Sequence, residues 1–192
     1  MIRIVGFAGV AHAGKSTAAT VLHEYLVSTT PAYTATRLAY ADRVKDVCAS
    51  LFLEVPSKYW YSPALKSMPL AKLQGWTPRT IMQHVGTQMR AVDRDVFVKQ
   101  VGVYLREHAG RARHVFIIDD VRYKNEEALI HVHGGVVLRV HRKGAGLKGE
   151  EAEHSSEREI PQLRCDAEIT NNKSRKDLLK QILPVLNGDT HV

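Results

Sequence analysis

Residues Gly9 to Ser16 read Gly-Val-Ala-His-Ala-Gly-Lys-Ser, a G-x-x-x-x-G-K-[ST] pattern placed where it constrains the fold most. An apolar, β-branched run (Ile2, Ile4, Val5, Phe7) precedes it, as a buried strand requires. Ala18, Val21, Leu22, Tyr25 and Leu26 follow at i, i+3, i+4, i+7 and i+8, the stripe of an amphipathic helix. Glycines let backbone N–H groups turn inward around an anion, and the helix start adds partial positive charge. The motif arises by chance roughly once in two hundred chains of this composition, before the strand and helix context is required. Strand, glycine loop and helix together imply a nucleoside triphosphate site. Gly9, Ala11, His12, Ala13, Gly14, Lys15, Ser16 and Thr17 are its expected phosphate cradle, with Lys15 on the β- and γ-phosphates and the Ser16 hydroxyl on Mg²⁺.

The rest of the chain alternates strand and helix patterns. Strands are expected at Arg37 to Ala41, His114 to Asp120, Gly135 to His141 and Ala167 to Thr170. Helices are expected from Asp42, from Pro78 behind a Thr77 N-cap, over Asp95 to His108 and over Asn125 to His133. A last helix starts at Ser174 and is expected to end at Pro184. Ile81, Met82, Val85 and Met89 mark one face of the Pro78 helix. Pro56 to Gly75 shows little periodicity and reads as a loop, and Lys143 to Glu159 is a glycine-rich, charged loop with the character of a lid. The expected fold class is α/β, a three-layer α/β/α P-loop NTPase architecture with a central parallel sheet, a helical substrate-covering region and a lid loop. One domain spans 1–192, with the covering segment at about 42–95 and the lid at about 143–159.

Ligands of such a sheet collect at the carboxyl ends of its strands. Asp119 and Asp120 end the His114 strand, where a Walker-B-like carboxylate would hold Mg²⁺. Asp120 is the expected metal-side residue, because Arg122 follows it and can clamp phosphate. A net charge of +7 favours polyanionic partners, but the basic residues are dispersed and aromatics do not interleave with them. Nucleotides therefore fit better than nucleic acid, and no stable nucleic-acid binding is expected. No 20-residue apolar span or basic leader is evident, so neither membrane insertion nor export is expected and the cytoplasm is the expected compartment. Cys48 and Cys165 lack metal-ligand spacing and read as separate thiols. The ten histidines offer no zinc pattern: His131 and His133 are two apart, so they point apart on a helix. A guanine-reading Asn-Lys-x-Asp is missing, since Asn172-Lys173-Ser174-Arg175 ends in arginine. A small-molecule kinase needs a P-loop, a covering region and a lid, and all three patterns are present.

Further segments carry a resemblance. Thr77-Pro78-Arg79-Thr80-Ile81-Met82-Gln83-His84-Val85-Gly86-Thr87-Gln88, Asp95-Val96-Phe97-Val98-Lys99 and Asp120-Val121-Arg122-Tyr123-Lys124-Asn125-Glu126 resemble segments of the deoxynucleoside monophosphate kinases of tailed bacteriophages. Ala41-Asp42-Arg43-Val44-Lys45 and His154-Ser155-Ser156-Glu157 resemble that family's substrate-side and lid motifs, and the likeness runs in order from Met1 to about Leu186. It implies an ATP- and Mg²⁺-dependent enzyme making deoxynucleoside diphosphates for DNA synthesis, in the host cytoplasm if phage-encoded, with a homodimer left open. By matching position, Lys45, Arg79 and Arg122 would bind the acceptor phosphate, and Gly86 and Thr87 would lie against the nucleotide. Phe97 would pack on the base, with Val44, Arg90, Asn125, Glu126, His154 and Glu157 also on the substrate side. Arg142 would hold ATP phosphates, and Asn171 and Asn172 would border adenine. The chain departs from the family at Ser16, where aspartate is common, at Gln88 for an acidic residue, and at Lys124 for proline. Animal-type phosphomevalonate kinases share a more distant likeness, and a DNA-associated P-loop ATPase is the rival from another class.

Overall fold

A computed structural model of the chain describes residues 4–29, 33–108, 113–147 and 155–187. They form two compact units, residues 1–40 with 101–192, and residues 41–100.

The first unit is a five-stranded parallel sheet. Its strands are β1 (Ile4–Ala8), β2 (Thr34–Leu38), β3 (His114–Val121), β4 (Val136–His141) and β5 (Ala167–Thr170), in the order β2-β3-β1-β4-β5. All five residues of β1 are buried, which is why its sequence is apolar without alternation. On one face Val5, Phe7, Val115, Ile117, Leu138, Val140 and Ile169 meet α1 (Lys15–Thr29) and α8 (Arg175–Asn187) through Ala18, Leu22, Leu26, Leu178 and Ile182. Each fully buried large side chain contributes about 1.5–3 kcal/mol. On the other face Ile130 of α6 (Lys124–Val132) presses on Gly6, where a Cβ would lie 2.5 Å from Ile130 Cδ1. Tyr104, near the end of α5 (Val96–Glu107), meets Phe116 edge-on on that face. Helices therefore cover both faces, as strand–helix alternation requires.

β2 begins at Thr34, three residues before the expected start, and stops at Leu38. Its apolar pattern is weak, and its register is set instead by a side-chain clamp. The buried His114 ring shares hydrogen bonds with Thr34 Oγ1 at 2.6 Å and Thr36 Oγ1 at 3.0 Å. Pro184 does not end α8, which runs on to Asn187. The proline removes one N–H near the end of the helix, while burial of Val185 and Leu186 holds the last turn in place. Ser174 caps this helix as expected, accepting from the Asp177 N–H at 3.2 Å.

In the second unit α2 (Asp42–Leu51) packs with α3 (Lys58–Tyr61) and α4 (Pro78–Val92). Thr77 and Thr80 form the capping box at the start of α4, each hydroxyl accepting from the other's N–H, with Pro78 in the first helical position. Ile81 is buried, and Met82, Val85 and Met89 are partly so. The segment from Pro56 to Gly75 is more ordered than its sequence suggests. Trp60 on α3 is fully buried beside Phe52, ring centroids 5.8 Å apart, and a 3₁₀ turn covers Ala71–Leu73. A short helix anchored by one tryptophan is too brief to show a 3.6-residue period. Both cysteines are free thiols, and among the described residues no helix is long and apolar enough to cross a membrane.

Candidate active site

The loop from Gly9 to Gly14 joins β1 to α1, and its glycines are required by geometry. Gly9 has φ +142°, and a Cβ there would lie 2.6 Å from the Val140 carbonyl. Gly14 has φ +98°, and a Cβ there would lie 1.9 Å from Asn171 Nδ2. That amide donates to the Ala13 carbonyl at 3.1 Å, and the Asn171 N–H donates to the His141 carbonyl at 2.7 Å. Asn171 therefore braces the loop from the end of β5 rather than serving only as a turn. Asn172 Oδ1 accepts from the Lys143 N–H at 2.8 Å and ties down the turn after β4, in which Arg142 is exposed. Ala11 and Ala13 are buried, while His12, Ser16 and Thr17 are exposed at the head of α1. No acidic residue occupies the first turn of α1, so nothing on the helix opposes an incoming anion.

Lys15 is 8% exposed, and its ammonium donates to the carbonyls of Gly9 at 2.6 Å and Val10 at 3.0 Å. Burial, and after it the nearby Arg122 charge, pull its pKa down to about 7. Glu157, Asp120 and Asp119 act the other way. Lys15 thus sits in one electrostatic cluster with the groups at the end of β3. There Asp119 pairs with Arg37 of β2, whose Nη1 also donates to Thr20 Oγ1 at 2.9 Å. Asp120 Oδ1 accepts the Tyr40 N–H at 2.8 Å. The Tyr40 hydroxyl donates to the Glu126 carbonyl at 2.8 Å and is held protonated by burial, with the Glu126 and Asp120 charges adding.

Arg122 forms an ion pair with Glu157 Oε1, and Glu157 Oε2 accepts the Ala11 N–H at 3.1 Å. Glu157 lies on α7 (Ser155–Arg158), a short helix where a loop was expected, because Ser156 and Glu157 are buried. His154 and much of the expected lid lie outside the described residues. Glu126, expected on the substrate, is 2% exposed and accepts the N–H groups of Arg122 at 2.8 Å and Tyr123 at 3.1 Å. A buried carboxylate on backbone donors at a helix start is a cap, and this one fixes the backbone of Arg122. Asn125 Oδ1 accepts from the Glu126 N–H at 3.1 Å in the same turn.

In the second unit Lys45 pairs with Asp42 at 2.6 Å and lies 5.6 Å from the Tyr61 ring centroid. Arg79 Nε donates to Ser67 Oγ at 3.2 Å, which positions it at the first turn of α4. Gly86 is buried, and a Cβ there would lie 3.2 Å from Arg90 Nη1 and 3.7 Å from Val44 Cγ2, while Thr87 is exposed. Phe97, expected to pack on a base, is 2% exposed and has the Arg90 guanidinium 4.5 Å from its ring centroid. Burial and this cation–π contact make it a core residue. Tyr40, Arg37 and the bracing role of Asn171 escaped the sequence reading, since no spacing relates them to their partners.

Residues 59–182, well over half of the chain, match the family model for deoxynucleotide monophosphate kinase. A protein of Acanthamoeba polyphaga mimivirus assigned as a deoxynucleotide monophosphate kinase is 27% identical over 196 residues, covering 96% of each chain. A sugar kinase from Janibacter sp. HTCC2649, in unliganded form, superposes with a TM-score of 0.52 at 13% identity, over 97% of this chain and 95% of that one. Shikimate kinase from Aquifex aeolicus is 14% identical over 97% of each chain, with a TM-score of 0.45. The parallel sheet with its helices, the glycine loop after β1 and the family match agree: the chain belongs to the deoxynucleotide monophosphate kinase family and is a phosphotransferase.

Proposed function

We propose that the protein transfers the γ-phosphoryl group of ATP to a deoxynucleoside 5′-monophosphate, giving the diphosphate. The observation that carries this reading is the cluster of buried Lys15, half-buried Arg122 and the Ala11 N–H around one loop, in a chain of this family. The acceptor oxygen of a monophosphate is already anionic, so no strong general base is needed. The difficulty is bringing two polyanions together and holding them in line. Lys15 and Arg122 neutralise that charge. Lys45 and Arg79 supply further cations for the acceptor phosphate, as the family likeness implies, and Arg142 supplies one for ATP.

The Ser16 hydroxyl and the Asp120 carboxylate are hard oxygen donors of the kind Mg²⁺ prefers, and these residues would hold it. The ion would supply charge screening on the triphosphate.

The test is ADP release with Mg-ATP against dTMP, dGMP, dCMP, dAMP, ribonucleotide controls and phosphomevalonate, with products identified by mass. A deoxynucleoside diphosphate formed rapidly supports the reading and gives the base preference. Turnover only with phosphomevalonate, or ATP hydrolysis stimulated by DNA without a phosphorylated small product, overturns it.

A further inference from the structure

Glu157 is shared between two parts of the phosphate-handling machinery. One carboxylate oxygen pairs with Arg122 Nη1, and the other accepts the Ala11 N–H at 3.1 Å. The side chain is 6% exposed, so its carboxylate lies largely out of water, where an unmet partner is costly. The Ala11 carbonyl accepts from the Gly146 N–H at 2.8 Å, so both polar groups of this loop residue are held from outside the loop. The backbone of Arg122 is fixed separately, by Glu126 at 2.8 Å. Two glutamates thus divide the work on one arginine, one at its main chain and one at its guanidinium.

We infer that Glu157 is a positioning residue: its single carboxylate aims the Arg122 guanidinium and fixes the phosphate loop at Ala11 in one relation to each other. The expectation that Glu157 touches substrate gives way to this role, in which it acts through Arg122 and the loop. The inference rests on the kinase reading for what Arg122 does, but not for what Glu157 holds. An ionised carboxylate suits the task because it accepts on both oxygens and donates nothing. Glutamine, of the same size, must turn its NH₂ toward one of the two donors and can keep only one bond. Aspartate keeps the charge but is one methylene short of spanning both.

The experiment compares wild type with Glu157→Gln, Arg122→Ala and the double variant, in kinetics and in amide exchange. In Glu157→Gln, kcat with the best deoxynucleoside monophosphate is expected to fall roughly tenfold to a hundredfold, the loss typical of misaimed groups. The KM for ATP should stay within about threefold, since Lys15 and the helix start remain. The double variant should lose less than the product of the two single losses, because the aiming of the Arg122 guanidinium is counted in both. In a further variant, Glu157→Ala, which removes both acceptors, amide exchange of the peptide containing Ala11 should accelerate about tenfold or more, with β1 and β3 unchanged. Where Glu157→Gln does not fold, Glu157→Asp carries the same predictions. Fully multiplicative losses in the double variant, or unchanged exchange at Ala11 in Glu157→Ala, overturn the inference. If wild type phosphorylates no deoxynucleoside monophosphate, the proposed function fails, and the exchange measurement alone decides the role of Glu157.

Discussion

The side-chain amide of Asn171 reaches the Ala13 carbonyl at 3.1 Å and fills the space where a Cβ on Gly14 would have to go. A residue at the end of β5 is therefore the outer wall of a loop that begins at the end of β1. Replacing Asn171 with Ala leaves that carbonyl without its partner, a loss of about 1–3 kcal/mol for a buried acceptor. We expect Asn171→Ala to fold and to weaken ADP binding about tenfold, read by calorimetry. Unchanged affinity would show that the loop holds its shape without the brace.

Lys15 gives a pH dependence with a definite sign. Its pKa falls from 10.5 to about 7 in the folded, nucleotide-free protein, chiefly through burial. Between those values the unfolded chain holds a proton that the folded chain lacks, so this group makes stability rise with pH across the window. Its contribution is complete above about 10.5 and is lost as pH falls through about 7. Phosphate needs the charged form, so nucleotide binding at pH 8 should take up close to one proton. Calorimetry in buffers of different ionisation enthalpy measures that uptake, and Lys15→Met should abolish it. Uptake that persists in Lys15→Met would assign the proton to another group.

Lys15→Ala should abolish turnover while the protein stays folded. The side chain bonds only loop carbonyls in the described structure, and removing it relieves a buried charge. Circular dichroism and the ADP-release assay, run on one preparation, check both halves.

Arg122→Ala should raise the KM for the acceptor and lower kcat by a combined factor of about a hundred or more. ATP affinity should change several-fold less. Equal losses toward both ligands would move Arg122 from the acceptor to the ATP side.

Gly6 faces Ile130, and a Cβ there would sit 2.5 Å from Ile130 Cδ1 and 3.1 Å from Val121 Cγ2. Gly6→Ala should cost about 1–3 kcal/mol of stability, the usual penalty for overpacking. Ile130→Val removes the clashing methyl and should recover part of that loss in the double variant. Denaturant titration decides, and additive penalties would mean that Ile130 swings clear at no cost.

The parts of the fold legible in the sequence were those written in local pattern. The Gly9 to Ser16 loop, the buried run of β1, the Thr77–Pro78 helix start and the carboxylates at the end of β3 each follow from neighbouring residues. What stayed hidden depends on partners far along the chain. Asn171 meets Ala13 across 158 positions, Glu157 meets Ala11 across 146, and Arg37 meets Asp119 across 82. Phe97 and Glu126 show the same dependence. Residue type and family position suggested a ligand, while burial by Arg90 and by the cap of α6 is visible only once the chain is folded. Pro184 was read by its rule, but burial of the residues after it outweighed one missing hydrogen bond.

The clamp of His114 by Thr34 and Thr36 acts as a gauge for the edge strand β2. Side chains alternate along a strand, so a slip of one residue would bring Ala35 and Arg37 to the imidazole in place of two hydroxyls. Alanine has nothing to offer the ring, and arginine can only donate to it. The same slip would carry Arg37 away from Asp119 and release a carboxylate at the end of β3. A histidine at the far end of the strand thereby helps keep Arg37 on Asp119 and sets the charge balance at the end of β3.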